Sequence, residues 1–114
     1  MSIRVSRLAD EIRDIIASCF LGGRLQDPRI KDVTITSVVL SADLQIAKVY
    51  FRVYDLESKD KALEGLQHAG GYLRKQLSSL DLRRIPELKF FYDDGVEKKE
   101  SIERILYELK NESK

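Results

Sequence analysis

Val5, Leu8, Ile12, Ile15, Ile16 and Phe20 recur at the three-and-four spacing of one helical face, with Arg7, Asp10, Glu11 and Asp14 largely opposite. The pattern predicts an amphipathic helix over residues 5–20, capped by Ser2 or Ser6 and ended by Gly22-Gly23. In RLQDPRIKD, Pro28 crowds Asp27 out of the helical region, so this stretch reads as a structured loop. Residues 33–40, VTITSVVL, are β-branched and alternate at first. Residues 44–54 alternate clearly, with Ala47, Val49, Phe51 and Val53 on one face and Ile46, Lys48, Tyr50, Arg52 and Tyr54 on the other. The short connection Ser41-Ala42-Asp43 makes the two a hairpin with one face on the core. After DLESKDK, Leu63, Leu66, Leu73 and Leu77 mark a second helix running to about Leu80. Pro86 precedes a third strand at residues 88–92, and Ile102, Ile105, Leu106 and Leu109 line a charged helix over residues 96–112. The order is helix, strand, strand, helix interrupted at Gly70-Gly71, strand, helix, which predicts a two-layer α+β fold with helices on one sheet face.

Residues 1–114 lack any long linker or internal repeat, so a single domain is expected, with residues 93–114 as an acidic helical extension. The lone Cys19, beside Ile15, Ile16 and Phe20, excludes an internal disulfide and reads as a small buried thiol. No apolar run approaches the roughly 20 residues that span a bilayer, and MSIRVSRLADEIRD is too polar for a secretory signal, which predicts a cytoplasmic protein.

The net charge of +1 hides two poles. Residues 70–92 carry Arg74, Lys75, Arg83, Arg84 and Lys89 against Asp81 and Glu87; residues 93–112 are dominated by acids. Each glycine of the Gly70-Gly71 pair costs a helix roughly 1 kcal/mol relative to alanine. A second helix starting there would turn free N–H groups toward an anion, with Arg74 and Lys75 one turn on to neutralise phosphates. The competing reading is that small residues let another element approach and that the charges only keep the chain soluble. Tyr50 and Tyr72 fit core or strand-pair positions better than base stacking. His68, the only histidine, is expected to face solvent, and Asp93-Asp94 to form a strand-ending turn rather than a metal site. No paired catalytic groups and no phosphate-binding P-loop are present, so no enzymatic activity, metal or cofactor is expected.

Three runs, DPRIKDVTITSVVLSADLQIAKVYFRVY, HAGGYLRKQL and LDLRRIPELKFFYDD, together resemble the ribosome-binding factor A family, and the resemblance extends from about Arg4 to Ile105. It implies a KH-like fold of the second type, in which the Gly-X-X-Gly loop is replaced by an Ala-X-Gly interhelical kink, matched here by Ala69-Gly70-Gly71. It further implies binding to the immature small (30S) ribosomal subunit and its 16S rRNA near the decoding region, in support of late maturation and rRNA processing, and importance in the cold. On that basis Ala69, Gly70 and Gly71 shape the RNA contact, while Arg74, Lys75, Arg83, Arg84 and Lys89 neutralise phosphates. Asp27, Pro28 and Arg29 position a loop, and Arg83, Arg84, Ile85 and Pro86 carry over as surface or RNA-proximal elements. Many family members extend into a basic C-terminus, whereas this chain ends in NESK after the acidic helix. The short strands and single copy of each motif suggest a monomer. The alternative is a protein-interaction module of the same fold, binding a ribosomal protein or another assembly factor through the open sheet face or the final helix.

Overall fold

The computed structural model describes residues 3–21 and 25–94. The proposed helix stop at Gly22-Gly23, the final helix and most of the acidic extension lie outside these residues. Helix α1 spans Ile3–Ser18, strand β1 Val33–Leu40, β2 Ile46–Val53, helix α2 Lys59–Gln76 and β3 Glu87–Tyr92. Single 3-10 turns occupy Pro28–Ile30, Leu56–Ser58 and Leu77–Ser79. No helix among the described residues is long and apolar enough to cross a membrane.

The strands lie in the order β1-β2-β3. β1 and β2 are antiparallel, whereas β3 runs parallel to β2 from Ile46↔Glu87 to Phe51↔Tyr92. A parallel neighbour needs a crossover connection, and α2 supplies it. The β1–β2 register shifts between Ile35 and Ser37. This irregularity explains why the alternation in VTITSVVL changes phase: Val33 and Ile35 are buried before it, and Val38 and Leu40 after it. At the hairpin, Leu44 adopts φ 62, and Asp43 Oδ1 accepts hydrogen bonds from the Ser41 hydroxyl at 2.7 Å and the Gln45 N–H at 3.1 Å.

Ala47, Val49, Phe51 and Val53 face the core as their alternation predicts, beneath Ala9, Ile12 and Ile16 of α1 and Ala62, Leu66 and Leu73 of α2. Cys19 is buried among them, 1% exposed. The Phe51 ring meets Tyr92 edge-on at 5.6 Å, which ties the central strand to β3. On the opposite register Lys48 and Arg52 are exposed, but Tyr50 is buried, its ring 5.9 Å from Phe91. Tyr72, by contrast, is exposed on α2, so the expectation of a core position does not hold for it.

Candidate nucleic-acid interface

Helix α2 corrects one expectation directly. It is α-helical from Lys59 through Gln76, so Ala69-Gly70-Gly71 lie inside one hydrogen-bonded helix and no second N-terminus with free N–H groups opens at the glycines. The physical reason is the stripe that flanks them: Leu66, Leu73 and Leu77 are each fully buried. Burying a leucine side chain stabilises by roughly 1.5–3 kcal/mol, which outweighs the roughly 1 kcal/mol that each glycine costs the helix.

The glycines of α2 have unequal surroundings. A Cβ on Gly65 would lie 2.7 Å from Ile30 Cγ2 and 3.1 Å from Arg29 Cβ, so the Pro28–Ile30 turn docks there because the side chain is missing. Among the described residues, a Cβ on Gly70 would meet only Phe90, at 4.0 Å, and one on Gly71 would meet nothing within 4 Å. Packing among the described residues therefore does not require bare backbone at Gly70 and Gly71. A groove between α2 and β3 opens beside Gly70, lined also by Gln67, Lys89 and Phe91.

The basic candidates fall into two kinds. Lys75, Arg83, Arg84 and Lys89 are exposed and form no ion pair or side-chain hydrogen bond within the described residues. Arg74 is exposed but engaged: its Nε donates to the Pro86 carbonyl at 3.2 Å and its Nη2 to the Ile85 carbonyl at 3.1 Å. It thereby pins the loop carrying Arg83 and Arg84 to the last turn of α2. Pro86 is fully buried and Ile85 packs against the core, so these two are anchors of that loop and not surface elements.

Arg29 is more completely engaged. Asp27 Oδ1 accepts from the Arg29 backbone N–H at 2.9 Å, and the Asp27 carboxylate accepts from Arg29 Nε and Nη2, the shortest contact being 2.7 Å. Arg29 Nη1 lies 3.3 Å from Glu64, and Nη2 lies 2.8 Å from His68 Nδ1. A guanidinium only donates, so Nδ1 is the acceptor in this contact. His68 is exposed as expected, yet it serves the clamp. The Arg29 side-chain and backbone hydrogen bonds, in that order, hold the Asp27 carboxyl below its ordinary range, and Asp27 in turn raises the Arg29 guanidinium.

The structure thus joins Arg74, in the last turn of α2, to the loop that carries Arg83 and Arg84, sets Lys89 of β3 beside Gly70, and lays Asp27, Pro28 and Arg29 against α2 at Gly65 and Glu64. Lys75 lies eleven positions beyond Glu64, a rise of about 16 Å. Sequence reasoning missed Gly65, Glu64 and His68 as the docking surface for the Asp27–Ile30 segment. Glu64 and His68 do share a helix face at i, i+4 spacing, but that spacing does not name the loop packed on it. Among the described residues no group of three or more His, Cys, Asp or Glu side chains gathers to hold a metal ion.

Comparison with known proteins shows the family and the fold. The sequence model of the family described as ribosome-binding factor A matches residues 4–106. A ribosome-binding factor A from Leuconostoc mesenteroides is 42% identical over 113 residues, covering 96% of this chain and 96% of that protein. The solution structure of a ribosome-binding factor A-like protein from Thermotoga maritima superposes with a TM-score of 0.72 at 28% identity, covering 85% of this chain and 93% of that one. A Thermus thermophilus ribosome-binding factor A fitted into a cryo-EM map of its 30S complex gives 0.63 at 27% identity, covering 76% and 92%. The KH-like α+β fold is shared with these structures.

Proposed function

The chain belongs to the ribosome-binding factor A family, and we propose that it binds the immature small ribosomal subunit through the 16S rRNA backbone, in support of late maturation and rRNA processing. The observation that carries this reading is the stretch of α2 at Gly70-Gly71, open among the described residues, with Lys89 beside it, Lys75 one turn on, and Arg83 and Arg84 on the loop that Arg74 holds, all four unpaired among those residues. Bare helix backbone lets a sugar-phosphate chain come close, and unpaired cations release counterions from it on contact. The complex between the Thermus thermophilus relative and the 30S particle supports the choice of partner.

Nothing in this reading requires a covalent step or a cofactor. The mechanism is occupancy: the protein stabilises the rRNA conformation that it binds best, and a mature conformation that binds it less well releases it. Arg74 contributes by holding the Arg83–Arg84 loop in place, and its charge adds to the same pole.

The test is co-sedimentation of the full chain with isolated small subunits, immature and mature, across a salt series. Preferential binding to immature subunits that weakens steeply with salt is expected, and Lys75→Gln with Lys89→Gln reduces the slope of log affinity against log salt by about 1.5. Binding that ignores salt would transfer the reading to a protein–protein contact. Absence of binding by folded protein would leave the fold without this function.

A further inference from the structure

The first two turns of α1 carry cations that the candidate site does not include. Arg4 and Arg7 line one shallow groove with Leu8 and Glu11 of α1 and with Leu80–Leu82, the segment that leads into Arg83 and Arg84. The two arginines are three residues apart, a rise of about 4.5 Å, and so lie on neighbouring turns of one face. Both are exposed, and neither forms an ion pair or side-chain hydrogen bond within the described residues. The first turn of α1 holds no acidic residue, so the positive end of its dipole adds to these charges. Glu11 and Asp81 border the same groove, and neither is paired with an arginine. The groove lining holds these two arginines against those two carboxylates, and the exposed Arg83 and Arg84 follow Leu82 directly in the chain.

We propose that the rRNA phosphate path continues from the Arg83–Arg84 loop across the groove onto α1, where Arg4 and Arg7 neutralise backbone phosphates. The inference rests on the RNA-binding reading above and extends its footprint to an element about 80 residues away in sequence. The geometry suits a polymer better than a small anion. The groove is open and lined by the half-buried leucines Leu8, Leu80 and Leu82, and its two arginines lie on successive turns along the edge that α1 forms. A backbone laid along that edge meets successive charges, with its bases free to face away.

The experiment compares full-length variants binding to isolated small ribosomal subunits over a salt series. Arg4→Gln with Arg7→Gln, with helix content unchanged by circular dichroism, is expected to lower affinity at low salt by about tenfold and the salt slope by about 1.5. Arg4→Lys with Arg7→Lys keeps the charge and is expected to keep the wild-type slope. A glutamine variant with the wild-type slope, beside a Lys75→Gln, Lys89→Gln variant whose slope falls, overturns the α1 extension and leaves the RNA reading standing. Wild-type binding that is indifferent to salt overturns the RNA reading and the extension together.

Discussion

At Gly65 the surface of α2 is filled by the protein's own chain: Ile30 sits against the missing side chain, and Arg29 reaches over it to Asp27, Glu64 and His68. Less than two turns further along the same helix, among the described residues, only Phe90 approaches the equivalent space at Gly70, to 4.0 Å, nothing lies within 4 Å of it at Gly71, and the nearby Lys75 and Lys89 have no partner. Glycine beside a basic residue therefore means two different things within one helix. In the first case the glycine and arginine serve a contact internal to the fold, and the charge is spent on carboxylates 2.7 and 3.3 Å away. In the second the backbone and the charges remain available to something outside it. A basic residue counts toward a nucleic-acid surface only when the fold has not already neutralised it, and by that standard Arg29 belongs with the scaffold.

The largest effect that divides the two regions is steric. Gly65→Val places branched carbon where a Cβ alone already approaches Ile30 to 2.7 Å, and Ile30 is itself buried at 2% exposure. Overpacking of this kind destabilises by about 2–3 kcal/mol, read from the urea midpoint of unfolding. A variant as stable as wild type would mean that the Pro28–Ile30 turn lifts off α2 at no cost, and the internal contact would lose its significance.

Gly71→Ala has the opposite sign. With nothing among the described residues within 4 Å of the new methyl group, the helix gains about 1 kcal/mol and the melting temperature rises. Binding to small subunits is expected to weaken in the same variant, because the methyl group stands where sugar-phosphate backbone approaches. A gain in stability with unchanged subunit affinity would leave the second region as empty in function as it is in packing.

The contrast between these glycines also shows what the amino-acid pattern discloses. The alternation of Ala47, Val49, Phe51 and Val53 identifies the buried face of the central strand, because a strand's period of two forces neighbouring side chains apart. The phase change at Thr36 is visible in VTITSVVL as a loss of alternation, although only the register with β2 makes it a bulge. The glycine pair is misleading when read alone. Its cost to the helix is local and its compensation, the burial of Leu66, Leu73 and Leu77 against the sheet, is tertiary. Pairings over long sequence separation are the least legible: Arg29 meets His68 across 39 residues, and Arg74 holds the carbonyls of Ile85 and Pro86. Periodicity says which face a residue occupies, but not which loop will be laid across it. The basic character of residues 70–92 was readable, therefore, while the separation of engaged from unengaged cations was not.

The smallest expected effect tests that separation through pH. The Asp27 carboxyl is held below its ordinary value of 3.8, first by the Arg29 side chain and then by the Arg29 backbone N–H. A carboxyl depressed in the folded state lends stability that is complete above the ordinary value and is lost as the pH falls through the folded one. The clamp should thus be fully formed at neutral pH and fade below pH 3.8. Asp27→Asn is accordingly expected to melt at a lower temperature than wild type at pH 7, with the two curves converging as the solution is acidified through that window. Asp43, depressed chiefly by the Ser41 hydroxyl, titrates with the same sign, so the difference between variant and wild type is the measurement and not the slope of either alone. Subunit affinity in the variant should hold or rise, because Arg29 loses its strongest partner and joins the available charge. A variant whose melting temperature matches wild type at every pH, but whose subunit binding falls, would place Asp27 and Arg29 in the RNA contact and dissolve the division between the two halves of α2.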